Sequence, residues 1–148
     1  MAPQAPLTLG VVGASLKPDE RRVPIHPGHL DRLPDELRSR VFLETGYGER
    51  FGVPDAELRP HVGGLLDRAE LFATADVLLL PKPQHADLRD MRDGQVLWGW
   101  PHLVQDETMT QLALDKKLSV IAFEAMNHWG SDGTFDLHVF HLNNEIAG

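Results

Sequence analysis

Short apolar runs alternate with amphipathic segments along most of the chain. Five of these runs predict buried strands, because they are apolar, contain β-branched residues and are followed by glycine, proline or charged residues. The predicted strands are residues 7–14, 41–44, 76–81, 94–100 and 118–124.

Three segments between or after these strands predict helices. They are residues 29–40, 65–75 and 106–117. In the first, leucines recur at helical spacing, but Pro34 lies inside the pattern and predicts a kink or a fresh turn there. In the last, Asp106 is placed to cap the helix amino terminus.

Strands that alternate with helices in this way are typical of an α/β fold with a mostly parallel sheet and helices on both faces. In such sheets, functional groups gather where the strands end at their carboxyl termini. Candidate functional side chains are therefore expected directly after the predicted strands.

Length, composition and net charge exclude several classes of protein. The 148 residues fit one domain, and an apolar fraction of 42% supports a real core. A formal net charge of −8 argues against a nucleic-acid partner, which usually meets a basic face. No cysteine is present, which excludes disulfides, thiolate metal sites and cysteine nucleophiles.

The chain begins without a signal-peptide pattern and has no run of about 20 apolar residues, so we expect a cytoplasmic protein with no membrane contact.

Two local patterns suggest ligand sites that we do not predict. The glycine-rich stretch "GYGERFG" (46–52) follows a strand, but Pro54 prevents it from opening directly into a long helix, as a phosphate loop requires. We interpret it as a surface loop shaped by glycines and predict no cofactor site in this chain. His138 and His141 are not accompanied by a third residue at a spacing typical of metal ligands, so no metal site is predicted.

Three groups of different chemistry stand at or near predicted strand ends. Arg22 follows the first strand, and arginine is suited to a carboxylate because its planar fork donates two parallel hydrogen bonds. Lys82 lies between two prolines that stiffen its backbone, and His102 follows "WGWP" (98–101). Together they suit proton transfer on a small acid, whereas each alone is equally consistent with an ordinary structural or surface role.

Five segments in register resemble the alanine dehydrogenase family, which also includes the amino-terminal part of nicotinamide nucleotide transhydrogenase and lysine-forming saccharopine dehydrogenase. The opening signature is Glu20-x-Arg22-Val23-x-Ile25-x-Pro27. The further segments are "ETGYGERFGVPDAEL", "ADVLLLPKPQ", "GQVLWGWPHL", and "SVIAFEAM" with "NNEIAG". The "WGWPH" and "VFHLNNEIAG" versions are most similar to those of the N5-(carboxyethyl)ornithine synthases, opine-forming reductases of this family.

The resemblance implies a flavodoxin-like substrate lobe over residues 1–148. In it, Arg22 would bind the substrate carboxylate, and Lys82 would hydrogen-bond the carbonyl or imine and assist proton transfer. His102 would be the general acid–base, Glu124 would support the cluster, and Trp100 would line the substrate cleft. For Trp98 and Trp100, an oligomer or interlobe surface is the alternative assignment, so a homo-oligomer stays open.

The implied reaction is the reductive amination of a 2-oxo acid by an amine or amino acid, with hydride from NAD or NADP. The cofactor would be bound by a Rossmann domain that this chain lacks, supplied in cis or in trans. One departure from the family lies beside Arg22: His26 stands where threonine or serine is usual.

Several alternatives stay open at this level. We expect the chain to be a piece of a longer polypeptide, because Asn143 or Asn144 would cap a helix that has barely begun; a stand-alone lobe is the alternative. In function, the rivals of the catalytic lobe are a non-catalytic carboxylate-binding module and a subunit that pairs with a separate Rossmann chain.

Overall fold

A computed structural model of the chain describes residues 5–142, and within them it contains eight strands and five α-helices. The strands are β1 (Leu9–Val11), β2 (Val41–Glu44), β3 (Gly64–Leu66), β4 (Val77–Leu80), β5 (Val96–Gly99), β6 (Ser119–Ala122), β7 (Asn127–Trp129) and β8 (Phe135–His138). The α-helices are α1 (Asp35–Arg38), α2 (Asp55–Leu58), α3 (Arg68–Thr74), α4 (His85–Asp90) and α5 (Glu107–Asp115). The 3₁₀ helices are Pro27–Arg32, Glu49–Phe51, Arg59–His61, Leu103–Gln105 and Phe123–Ala125.

Six strands form one parallel sheet in the order β3-β2-β1-β4-β5-β6, and β7 and β8 form a separate antiparallel hairpin. The predicted α/β class is therefore confirmed. After β1 the chain forms β2 and β3 on one side of β1, and it then crosses back to form β4, β5 and β6 on the other side. In doubly wound sheets the crevice at this reversal is where ligands bind.

Apolar side chains cover both faces of the sheet, because successive strand residues point in opposite directions. Leu78 and Leu80 pack in one buried cluster with side chains of α3, α4 and α5. Leu79, between them, packs in a second cluster with Leu30 of the first 3₁₀ helix and Leu58 of α2. The predicted helical layers on both faces are thus present, although those of the second face are short.

Two predicted helices differ from the structure. Residues 29–40 form a 3₁₀ helix and the short α1, because Pro34 separates them and stands at the amino terminus of α1. Residues 64–66 pair with β2 as an edge strand, and α3 begins only after Asp67, whose side chain accepts a hydrogen bond from the Glu70 amide. Helix α4 and the β7–β8 hairpin were not predicted from the sequence. The predicted helix start at Asn143 or Asn144 lies outside the described residues.

A partly buried ionic network joins three loops at the carboxyl edge of the sheet. One oxygen of Glu44, at the end of β2, accepts hydrogen bonds from the 13–14 backbone amides at 2.8 and 3.1 Å. Arg68 contacts the other Glu44 oxygen at 3.2 Å and also pairs with the fully buried Asp87. Burial raises the pKa of Asp87, and hydrogen bonds from the Gln84 amide and from Arg68 oppose that rise. The network therefore fixes the loops after β1 and β4 relative to each other.

The close approach of β4 and β5 yields a first prediction. A Cβ added to Gly99 would lie 2.1 Å from the backbone oxygen of Leu80, a contact that only strand separation relieves. Gly99→Ala is therefore expected to lower the free energy of unfolding by about 1–3 kcal/mol, the usual range for overpacking. Urea denaturation followed by circular dichroism measures it.

Gly64→Ala is the matched control, because it also adds a methyl group to a strand. The added Cβ would meet only the ring of Phe42 at 3.4 Å, an ordinary contact. An equal loss of stability in the two variants would contradict the proposed constraint at Gly99.

Candidate functional site

The candidate residues lie at the carboxyl ends of adjacent strands. Lys82 follows β4, His102 follows β5 and Glu124 follows β6, while Arg22 lies in the long segment after β1. Because all these strands are parallel and hydrogen-bonded neighbours in the order β1-β4-β5-β6, the four side chains emerge at one edge of the sheet.

Lys82 and His102 are in direct contact. The Lys82 Nζ and the His102 Nε2 are 2.5 Å apart, and the Ser15 hydroxyl donates to the Lys82 carbonyl at 3.1 Å. Burial lowers the pKa of Lys82, and the positive charges of Lys17 and Arg22 lower it further. A hydrogen bond between two nitrogens needs one to donate and the other to accept, so the pair places a proton donor and a proton acceptor side by side.

The backbone of His102 is held in an unusual conformation. Its φ and ψ are 50° and 42°, in the left-handed region that non-glycine residues rarely adopt. The His102 amide donates to the Glu124 Oε1 at 2.7 Å, which ties the ends of β5 and β6 together. The other carboxylate oxygen, Oε2, is buried and has no hydrogen-bond partner among residues 5–142. Glu124 therefore supports His102 and retains acceptor capacity.

Arg22 presents part of its guanidinium to solvent. The Nε and Nη2 atoms donate to the two oxygens of Glu20 at 2.8 and 2.6 Å, and this pairing holds the pKa of Glu20 down at about 2. Within the described residues the Nη1 atom has no hydrogen-bond partner, and 46% of the side chain is exposed. Because guanidinium has five N–H donors, the edge formed by Nη1 and Nη2 can still donate hydrogen bonds to a carboxylate.

The segment that carries Arg22 is tied to the loop after β2. The buried Tyr47 hydroxyl donates to the Ile25 carbonyl at 2.8 Å and accepts from the Ile25 amide at 3.0 Å. Arg50 donates to the backbone carbonyl of Arg21 at 2.6 Å. These contacts leave Arg22, and not its neighbour Arg21, beside the other candidate residues.

Trp100 joins the cationic groups. The Arg22 Cζ lies 5.2 Å and the Lys82 Nζ 5.4 Å from the centroid of its ring, within cation–π range. The indole also lines an apolar cleft of about 620 Å³, together with Arg22, Pro81 and Phe123. The structure thus brings together all five residues named from the sequence: Arg22, Lys82, Trp100, His102 and Glu124.

The departure at position 26 has a local explanation. The His26 Nδ1 accepts a hydrogen bond from the Gly28 amide at 3.1 Å and so caps the 3₁₀ helix Pro27–Arg32. A threonine or serine hydroxyl makes the same type of capping bond, so the helix start beside Arg22 does not depend on which of these residues is present.

The glycine-rich loop is shaped by its glycines, as predicted. Gly46 and Gly52 have φ values of 80° and 72°, and the Gly46 amide donates to both oxygens of Asp55. The helix that follows, α2, has four residues. Over residues 5–142, no cluster of three or more metal-ligating side chains is found, and no helix is long and apolar enough to span a membrane.

Two residues that contribute to the site were not identified from the sequence. Glu20 belongs to the opening signature but was not assigned a role, and Lys17 was not considered. The spacing Glu20-x-Arg22 is a usable signal, because residues two apart in an extended segment lie on the same side and can pair. The charge of Lys17 on Lys82 acts through space and has no signal in the sequence.

Comparison with known proteins identifies relatives of the chain. The family model described as "Alanine dehydrogenase/PNT, N-terminal domain" matches residues 11–146. N(5)-(carboxyethyl)ornithine synthase of Lactococcus lactis subsp. lactis is 30% identical over 122 residues, which are 80% of this chain and 37% of that protein. Alanine dehydrogenase of Mycobacterium tuberculosis is 31% identical over 123 residues, 82% of this chain and 32% of that protein.

Solved structures share the fold. An L-alanine dehydrogenase has a TM-score of 0.70 at 21% identity, with 86% of this chain and 35% of that chain covered. A transhydrogenase from Sinorhizobium meliloti has a TM-score of 0.67 at 20% identity, with 84% and 37% covered. The chain spans about a third of the length of these relatives.

The charges around Lys82 yield a second prediction. Lys17→Met is expected to raise the pKa of Lys82, because a positive charge that favours the neutral amine is removed. An NMR titration of the lysine side chains measures it.

Lys117→Met is the control, since Lys117 follows α5 at the opposite edge of the sheet and the substitution removes the same charge. An unchanged or lowered Lys82 pKa in the Lys17 variant would contradict the electrostatic account.

Proposed function

The chain belongs to the family of alanine dehydrogenase and transhydrogenase N-terminal domains, and we propose that it is the substrate-binding catalytic lobe of an NAD(P)H-dependent amino-acid or opine dehydrogenase. The proposed reaction is the condensation of a 2-oxo acid with an amine to an imine, which is then reduced to a secondary or primary amine. The contact between Lys82 and His102, beside the free edge of Arg22, is the observation that carries this proposal.

Arg22 is the proposed carboxylate site. Its Nη1 and Nη2 edge is available, while Glu20 holds the opposite edge and fixes the orientation of the guanidinium. Trp100 lies against the same group, and an arginine that is paired and stacked in this way has little freedom to lose when a ligand binds. A 2-oxo acid on this edge would direct its oxo group toward Lys82.

Lys82 and His102 are the proposed proton-transfer pair. When Lys82 is protonated, its ammonium can hydrogen-bond the oxo oxygen and make the carbonyl carbon more electrophilic. His102 can then take the proton that the attacking amine loses and return one to the departing water. A positioned acid–base group of this kind typically contributes about 10²–10⁴-fold to the rate.

Glu124 is proposed as a supporting residue. Through the His102 amide it holds the imidazole beside Lys82, and the charge of Glu124 also acts on the Lys82 ammonium.

The described residues do not fit a dinucleotide. The glycine-rich loop leads into a four-residue helix, whereas a pyrophosphate site needs a longer helix whose amino terminus faces the ligand. We therefore assign NAD or NADP, and the hydride it carries, to a Rossmann domain outside this chain, in cis or in trans. Whether the assembly is a homo-oligomer is a separate property that the proposal does not require.

Binding of pyruvate tests the proposed carboxylate site. Arg22→Ala is expected to weaken pyruvate binding by at least about tenfold, since a charge-assisted bidentate contact is lost. Arg22→Lys should retain part of the affinity, because it keeps the charge but not the planar fork. Titration calorimetry or ligand-observed NMR measures both.

Arg21→Ala is the matched control, because it removes the same charge one residue away from the site. Equal weakening in the Arg21 and Arg22 variants would mean that only the net charge attracts pyruvate, and would contradict the assignment of Arg22.

The lack of a dinucleotide site among residues 5–142 yields a further prediction. The purified 148-residue chain, given pyruvate, an amine and NADH or NADPH, is expected to leave the absorbance of the reduced nicotinamide unchanged. Robust turnover with no second polypeptide present would contradict the proposal that the cofactor is held by another domain.

A further inference from the structure

The segment that carries Arg22 has no regular secondary structure. Residues 21–25 lie between β1 and the 3₁₀ helix Pro27–Arg32, and within residues 5–142 none of them takes part in a backbone–backbone hydrogen bond. A segment without such bonds holds a side chain in one place only if other groups fix its backbone. The position of the Arg22 guanidinium therefore depends on side chains that reach this segment from elsewhere.

The hydroxyl of Tyr47 supplies the backbone contacts that a neighbouring strand would otherwise make. It accepts a hydrogen bond from the Ile25 amide at 3.0 Å and donates one to the Ile25 carbonyl at 2.8 Å. Burial raises the pKa of Tyr47, and the hydrogen bond with the Ile25 backbone opposes that rise. The hydroxyl therefore keeps its proton at neutral pH and can donate and accept at the same time.

The ring of Tyr47 is itself fixed against the sheet. Tyr47 is buried in the second apolar cluster with Val11 of β1 and Leu43 of β2. A Cβ added to Gly13, directly after β1, would lie 3.0 Å from the ring, so the ring lies against the loop that follows this strand. The positions of β1 and β2 thus determine where the hydroxyl meets Ile25.

The backbone between Ile25 and Arg22 is stiff. Pro24 has a fixed φ angle, and it confines Val23 before it to extended conformations. Val23 and Ile25 also pack against the second apolar cluster. Because only these residues separate Arg22 from the anchored Ile25, the start of the arginine side chain is held wherever Tyr47 holds Ile25.

The other contacts of this segment are less able to fix it. Glu20 pairs with the guanidinium but belongs to the same segment, so it cannot hold Arg22 relative to the sheet. The hydrogen bond from Arg50 to the Arg21 carbonyl is exposed to solvent. Among these hydrogen bonds, those of Tyr47 are the ones that join the segment to the core.

We propose that Tyr47 is a positioning residue for the substrate carboxylate: its hydroxyl, acting through the Ile25 backbone, holds Arg22 beside the Lys82–His102 pair. This proposal rests on the proposed function and adds a residue to the same site. Tyr47 does not contact the substrate in it. Loss of the hydroxyl leaves the charge of Arg22 unchanged and removes only the ordering of its backbone.

Tyr47→Phe tests the proposal, because the ring stays and only the hydroxyl is lost. Calorimetry is expected to show about fivefold or more weaker binding of pyruvate to the 148-residue chain, since pyruvate must then order the Arg22 segment on binding. A purely structural role would lower the unfolding temperature in circular dichroism and leave the pyruvate affinity of the folded variant unchanged.

Thr8→Val is the matched control, because it also removes a hydroxyl that makes two hydrogen bonds. The Thr8 hydroxyl donates to the Asp76 Oδ2 at 2.8 Å and accepts from the Asp76 amide at 3.1 Å. These residues precede β1 and β4, at the opposite edge of the sheet from Arg22. The control variant is expected to bind pyruvate as tightly as the unmodified chain.

Hydrogen exchange of the Ile25 amide measures the same coupling without any substitution. If opening of the Tyr47–Ile25 contact releases Arg22, pyruvate must favour the closed form and slow this exchange. NMR is expected to show exchange slowed by about tenfold when free pyruvate is at about ten times its Kd. This measurement decides the matter even if Tyr47→Phe does not fold.

Three outcomes would overturn the proposal: equal pyruvate affinity in Tyr47→Phe and the unmodified chain, equal weakening in Thr8→Val, or Ile25 exchange that pyruvate leaves unchanged. In each of these cases, pyruvate binding that depends on Arg22 would leave the proposed function standing. Pyruvate binding that is insensitive to Arg22→Ala would instead overturn the proposed function.

Discussion

Strands β4 and β5 approach so closely at Leu80 and Gly99 that a methyl group on Gly99 would collide with the facing backbone oxygen. Lys82 lies two residues beyond Leu80, and His102 lies three beyond Gly99, so this contact sets the separation of the two side chains. The pairing of β5 with β6 then brings Glu124 to the His102 amide. The site is therefore a consequence of the parallel register of these three strands.

The charges at this edge are arranged in opposing pairs. Arg22 and Lys82 both lie over the ring of Trp100. Glu20 pairs with Arg22, and Glu124 accepts a hydrogen bond from the amide of His102, the residue that contacts Lys82. Burial and nearby cations lower the pKa of Lys82, and Arg22 lowers that of Glu20. The result is a lysine with a lowered pKa in contact with His102, next to a guanidinium that can bind an anion. That combination suits a negatively charged substrate whose carbonyl gains and loses protons.

The sheet was predictable, and so was the position of the candidate residues at its carboxyl edge, but several elements that position them were not. Apolar runs mark β2, β4 and β5, because a strand whose two faces are both covered is apolar at nearly every position. Strand β6 is also an apolar run in sequence, although Ser119 and Ile121 are exposed. The prediction of a helix from residue 65 was wrong at its start, where strand β3 lies. Leu65 and Leu66 fit an amphipathic helix as well as a strand, and only their pairing with β2 makes them a strand. Arg22, Lys82 and His102 could be named because each follows a strand. The pairing of Glu20 with Arg22 is visible in their spacing once Arg22 is known, whereas Lys17 acts on Lys82 through space, which chain position does not reveal.

The central claim is that a 2-oxo acid lies with its carboxylate on Arg22 and its oxo group beside Lys82 and His102. A crystal structure of the chain soaked with pyruvate tests it most directly. The account predicts the carboxylate on the Nη1 and Nη2 edge of Arg22 and the oxo oxygen within hydrogen-bond distance of the Lys82 Nζ. Pyruvate bound away from these residues, or with its oxo group turned from the Lys82–His102 pair, would contradict it.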